Sequence, residues 1–256
     1  MRGRPWAIVA VSLAFAGPWA GVAGADDVKV LCAGAVRSVV SELAATFRQE
    51  AGHSVSLSFG TVGVNRKKLM GGEPVDVVIL TDVAIDEVTA AGAVVPGSRA
   101  DIARTGMGLA VREGAPRPDI STPDAFKQTL LAARSLVYVD PAQGATSGIH
   151  FAGVLARLGI ADAVKAKTQL VPGGYPAEKV ASGEVEMVVH QISEIVPVKG
   201  VVLVGPLPGD LQKVTVYSAG LASRSASPAA GRAFIAFLTR PAFRPKFAAA
   251  GLDYKP

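Results

Sequence analysis

Apolar positions along this chain alternate between two rhythms, short β-rich runs and stretches spaced three or four residues apart. Residues 28–33 form a first apolar run, and Val39, Leu43, Ala44 and Phe47 then recur at helical spacing until Gly52. A second strand follows over 55–59, a short basic helix over 65–70, a third strand over 75–80, and a helix over 85–91 stopped by Gly92. Three strand-helix units in a row predict a parallel sheet, with every turn that follows a strand on one edge. Ligands of such sheets bind beyond the carboxyl ends of the strands.

The rhythm changes over 102–111, where Gly106 and Gly108 interrupt a strand-like run; this reads as a segment crossing between two lobes. New units follow: a helix over 123–133, a strand over 136–139, a helix carrying Phe151, Val154, Leu155 and Leu158, a helix through Val180, and a strand over 185–189. A strand over 214–221 returns the chain to the first lobe, and helices over 228–239 and 241–250 close it. The expectation is an α/β fold of two lobes, each a mostly parallel sheet flanked by helices. Lobe 1 is drawn from 26–105 and 215–256, lobe 2 from 106–214, and the cleft between them is the place for a small ligand.

Before this pattern begins, residues 1–25 carry Arg2 and Arg4, an apolar run over 6–16, and Ala23-Gly24-Ala25. That is the layout of a secretory signal cleaved near Ala25, with an apolar run too short to span a membrane. The mature chain is therefore expected in the periplasm, as a monomer. Losing Arg2 and Arg4 with the leader leaves 24 basic residues against 21 acidic ones. So small an excess suits a small anion and argues against nucleic acid as a partner. The single cysteine, Cys32, excludes an internal disulfide and sits inside an apolar run, as a small buried hydrophobe would. Three scattered histidines and one cysteine offer no metal spacing, no cofactor motif is present, and no serine occupies a G-x-S-x-G elbow.

Two corners carry the candidate chemistry. After the strand over 136–139, Asp140 and Pro141 stop the run, and Thr146, Ser147 and Gly148 open a helix whose positive end can receive an anion. After the strand over 55–59, Gly60, Thr61, Val62 and Gly63 make a similar corner, with Arg66 one turn further as a bidentate partner for a carboxylate. Lys67 and Lys68 beside it read as a solvated face. His190, followed by Gln191, stands at the carboxyl end of a strand, either as a structural hydrogen-bonding group or as a cation or base facing the ligand. His53 and His150 read as structural or exposed.

With these residues in view, the mature chain resembles the periplasmic solute-binding proteins of ABC importers, in the molybdate-binding branch with its type II periplasmic binding fold. The resemblance rests on the run Val30 to Ala35, the Phe59-Gly60-Thr61 corner, the run Pro74 to Ile79, the Asp140-Pro141-Ala142 corner and the closing helices. It implies two lobes that shut on a ligand, a small anion as that ligand, and an ABC permease as partner. Ala35 and the Thr61-Val62-Gly63 trio stand where that branch uses serine hydroxyls, and His190 where it uses a tyrosine. With Arg37, Arg66 and His190 available, a di- or tricarboxylate is favoured over molybdate; Tyr175, in the 172–176 loop, completes the expected set from the second lobe. Some proteins on this scaffold are similar to aconitate isomerases, which shift a proton and a double bond within an unsaturated tricarboxylate. Under that alternative, His190 is the catalytic base.

Overall fold

The structure, a computed structural model, describes residues 25–253; the leader expected ahead of Asp26 lies outside the described residues. Strands β1 (Asp27–Ala33), β2 (Ser54–Gly60) and β3 (Val77–Thr81) run parallel with β1 in the middle, and α1 (Arg37–Ala51) and α2 (Val62–Met70) connect them. Helix α3 (Asp82–Ala90) leads to β4 (Ala100–Thr105). Past Gly106 the chain enters β5 (Met107–Arg112), which belongs to a second sheet. It continues through α4 (Pro123–Ala132), β6 (Leu136–Val139), α5 (Thr146–Arg157), α6 (Ala161–Lys165), β7 (Thr168–Val171), α7 (Ala177–Ala181), β8 (Met187–Gln191), α8 (Ile192–Ile195) and β9 (Val201–Pro206). Strand β10 (Thr215–Leu221) re-enters the first sheet, followed by α9 (Pro228–Leu238) and α10 (Arg244–Ala249).

The strand orders are β2-β1-β3-β10-β4 and β7-β6-β8-β5-β9. In each sheet three parallel strands are joined to a strand of opposite direction, β10 in the first and β5 in the second. Alternation along β1 explains how the first sheet is covered on both faces. Val28, Val30 and Cys32 point toward α1, α9 and α10, where Phe47 meets Phe234 and Phe237 edge-on at 5.2 Å. Leu31 faces the other way, with Val78 and Leu80, onto Leu69, Ile85 and Val88 of α2 and α3. Cys32 is fully buried, and burial pushes its thiol far above the ordinary range, as suits an inert core residue.

The 102–111 segment, expected as one crossing run, is two strands in different sheets, broken at Gly106. A methyl group on Gly106 would stand 3.1 Å from Gln212 Nε2. That amide brackets Met107 on both sides: Met107 N–H donates to Gln212 Oε1 (2.8 Å), and Gln212 Nε2 donates to the Met107 carbonyl (2.9 Å). Gln212 lies on the second crossing, between β9 and β10, so the two connections between lobes are tied side by side. Strands β7 and β9 were not apparent in the pattern, because β7 has only four residues and β9 is half-buried along most of its length.

Asp76, 3% exposed, fastens the ends of the first sheet. Its carboxylate accepts from Lys29 N–H (2.9 Å), Ser225 Oγ–H (2.7 Å) and Ser227 N–H (2.9 Å). Burial acts to raise the Asp76 carboxyl, and the hydrogen bonds from Ser225, Lys29 and Ser227 outweigh it, holding the group below its usual range. A carboxyl depressed in the folded state stabilises fully above its unfolded value, about pH 4, and this stabilisation is lost as pH falls through the lowered value. Asp76→Ala leaves two backbone N–H groups unpaired and is expected to cost about 3 kcal/mol in urea unfolding at pH 7, with a smaller loss near pH 2.

Candidate functional site

Loops at the carboxyl ends of β1, β2, β6 and β8 enclose a cavity of about 290 Å³ between the lobes. From the first lobe come Gly34 and Ala35, in a single 3-10 turn that leads into α1, and Arg37 at the start of that helix. Phe59, Thr61 and Val62 come from the β2-α2 corner. The second lobe contributes Thr146 and Ser147 at the start of α5, Gly173 and Gly174, and His190, Gln191 and Glu194 around the end of β8. Tyr217 of β10 completes the lining.

Neither α1 nor α5 has a side-chain cap: the capping positions are Val36 and Ala145. Thr146 and Ser147 are the first two residues of α5, both line the cavity, and the first-turn N–H groups of this helix have no side-chain cap. Thr61, by contrast, does cap α2, accepting from Val64 N–H at 3.1 Å. Its hydroxyl also donates across the cleft to the Gln143 carbonyl at 2.5 Å. Beside it, Gly63 N–H donates to the Gly144 carbonyl at 3.0 Å. Two backbones meet there: a methyl group on Gly63 would stand 2.7 Å from the Gly144 Cα, and Gly144 adopts the left-handed region at φ +64°.

Arg37 carries the positive charge of the cavity. Its guanidinium lies over the Phe59 ring at 4.4 Å and faces the Tyr175 ring at 5.5 Å. Sandwiching by two rings holds the charge in place while leaving the guanidinium edge open to an anion. Opposite it, His190 is 2% exposed, and its Nε2 lies 3.1 Å from Glu194 Oε2 without the N–H being aimed at that oxygen. Neither ring nitrogen of His190 has an aligned hydrogen-bond partner among the described residues. The other Glu194 oxygen reaches over the Gly34 turn, 2.7 Å from where a Gly34 Cβ would be. Gln191 is engaged elsewhere, its amide atoms lying 2.7 and 2.9 Å from the Tyr217 hydroxyl. Burial, reinforced by the Glu194 carboxylate, pushes both tyrosine hydroxyls upward, Tyr217 far above the usual range, so both stay protonated.

Of the residues singled out in the sequence, Ala35, Arg37, Thr61, Val62, Thr146, Ser147, His190 and Gln191 line the cavity. Arg66 does not: half-exposed, it pairs with Glu87 of α3 at 2.7 Å. Gly63 serves the contact between lobes, and Gly148 lets the α5 backbone pack on the Val139 carbonyl, where a Cβ would come within 2.1 Å. Tyr175 reaches the site through Arg37. Glu194 and Phe59 were missed. Glu194 follows His190 by four positions, but a glutamate in a short helix carries no sign of burial; a bulky ring before a glycine corner was the only trace of Phe59.

The whole described core, residues 28–253, matches the model of a family described as bacterial extracellular solute-binding protein. The chain belongs to this family. The solute-binding protein is 35% identical over 215 residues to an aconitate isomerase from Pseudomonas sp., covering 82% of this chain and 80% of that one. It is 28% identical over 234 residues to the molybdate-binding protein ModA of Azotobacter vinelandii, covering 88% and 89%. In solved structures it resembles the Azotobacter vinelandii periplasmic molybdate-binding protein, with a TM-score of 0.73 at 21% identity over 90% of this chain and 99% of that one. The type II periplasmic binding fold follows from this membership and these structures.

The Gly63–Gly144 contact yields a test of closure. Gly63→Ala forces the two corners apart at a strain of about 1–3 kcal/mol, which corresponds to about tenfold or more in ligand affinity. Small-angle scattering should show a larger radius of gyration for the ligand-bound variant than for wild type, while the unfolding temperature changes little.

Proposed function

We propose that this solute-binding protein binds a small unsaturated tricarboxylate and shifts a proton and a double bond within it, as an isomerase of the aconitate type. The observation that carries this reading is the buried His190, unbonded at both nitrogens, next to the buried Glu194 and facing the same cavity as Arg37. An imidazole held in the cavity with no aligned hydrogen-bond partner can take up and release a proton as a base. The 35% identity to an aconitate isomerase supports the same reading.

The chemistry is a proton shift along three carbons. Arg37 and the first-turn N–H groups of α5 hold the carboxylates, with the CH₂ group directed at His190. The imidazole removes one proton from that carbon, and the electron pair spreads through the adjoining double bond into a carboxylate. Arg37 stabilises the charge that builds there. The same proton then returns to the far carbon, so the double bond moves and the atoms balance. The base and the cation are side chains of this chain, and the lobes on either side of the cavity limit the water that could quench the carbanion.

A second reading, capture of the anion in the periplasm and delivery to an ABC permease, is supported by the ModA relative and by a cavity that lies between two lobes. His190→Asn separates the two. An absorbance assay of cis/trans-aconitate interconversion should give turnover with wild type and a loss of about 10²-fold or more in kcat with the variant. Calorimetric affinity for trans-aconitate should change little. Tight binding by wild type with no turnover supports delivery instead.

A further inference from the structure

A carboxylate lining an anion's cavity sets a condition on what may enter. Glu194 is 8% exposed and faces the cavity. Among the described residues no hydrogen-bond donor is aimed at it: His190 Nε2 is near but misaligned, and Arg37, though it lines the same space, makes no ion pair with it. The elements packed around Glu194 bring few other charges. β8 presents His190, α1 Arg37, the 172–176 loop Tyr175, β10 Tyr217 and β1 the inert Cys32. The Gly34–Val36 turn and β9 carry no titratable side chain, β5 only Arg112, exposed at its far end, and the 250–253 segment only Asp253, which pairs with Arg104. A polyanion entering this space meets a negative oxygen within a few ångströms, and two carboxylates at that distance cannot both stay ionised.

We propose that Glu194 is a specificity-determining residue: the cavity accepts an anion only together with one proton, shared between the Glu194 carboxyl and a carboxylate of the ligand. The glycine at position 34 fits this role, since it leaves the space into which the carboxyl reaches from the opposite lobe. A tricarboxylate satisfies the condition readily, because its last proton is held against two charges already present. Sulfate, and to a lesser degree molybdate, has no such proton to share. The shared proton also lowers the charge that builds on the ligand carboxylate when a neighbouring C–H is broken. In that respect the inference rests on the isomerase reading, but the binding rule does not need turnover.

Calorimetry of the mature protein with trans-aconitate, in Hepes and Tris buffers at pH 7 and pH 8, tests it. Wild type should take up about one proton per ligand at pH 8, and Kd should rise by up to about tenfold between the two pH values. E194Q, isosteric with wild type, should lose the uptake and the pH dependence and gain about tenfold or more in affinity for sulfate and molybdate. H190N should keep the uptake. Absence of uptake in wild type, uptake unchanged in E194Q, or uptake lost in H190N but kept in E194Q overturns the proposal. If wild type binds molybdate but no tricarboxylate, the isomerase reading falls alone, and the comparison of molybdate affinity still decides: a tenfold gain in E194Q upholds the proton rule, and no gain ends it. If neither anion binds either protein, both fail.

Discussion

Everything at this site depends on two backbones being able to touch. Where the β2-α2 corner meets the loop before α5, Gly63 and Gly144 face each other without side chains, and one hydrogen bond joins them while Thr61 adds a second. Were either position to carry a Cβ, the lobes could not approach closely enough for Glu194 to reach the Gly34 turn. Closure of the cavity, burial of His190 and the confinement of Arg37 between Phe59 and Tyr175 belong to one arrangement, and small residues at the contact make it available.

Parallel strands explain why so many polar groups converge there. Each sheet ends its central strands on the cleft side, and each following helix begins there, so helix starts from both lobes face one another across about 290 Å³ of space. Uncapped starts at α1 and α5 leave N–H groups for a ligand, while the capped start at α2 is committed to holding the lobes together. The fold thus divides its helix starts between the cavity and the contact between lobes. Beside these helix starts the chain places an imidazole and a carboxylate, and the proposed isomerase reading rests on those two groups.

The pattern of apolar residues was enough to read the βα order, the two lobes and the return of the chain at β10, because long-range packing there follows local periodicity. It also placed His190 at a strand end, where the architecture puts ligands. Reading failed where direction rather than position matters. Arg66 follows a glycine corner in sequence, yet its place on α2 turns it outward to Glu87, whereas Arg37 at the first turn of α1 is turned inward onto Phe59. Glu194 could not be seen because α8 is a single turn and its carboxyl packs on the Gly34 turn of the opposite lobe, a contact far away in sequence.

The central claim is that this cavity breaks and remakes a C–H bond. Proton NMR of trans-aconitate incubated with the mature protein in D₂O measures this directly. The cis-isomer signals should appear at a rate proportional to protein concentration, with the migrated hydrogen retained as protium, because the imidazole returns the proton it took. Saturated binding of the tricarboxylate with every C–H signal unchanged would contradict it.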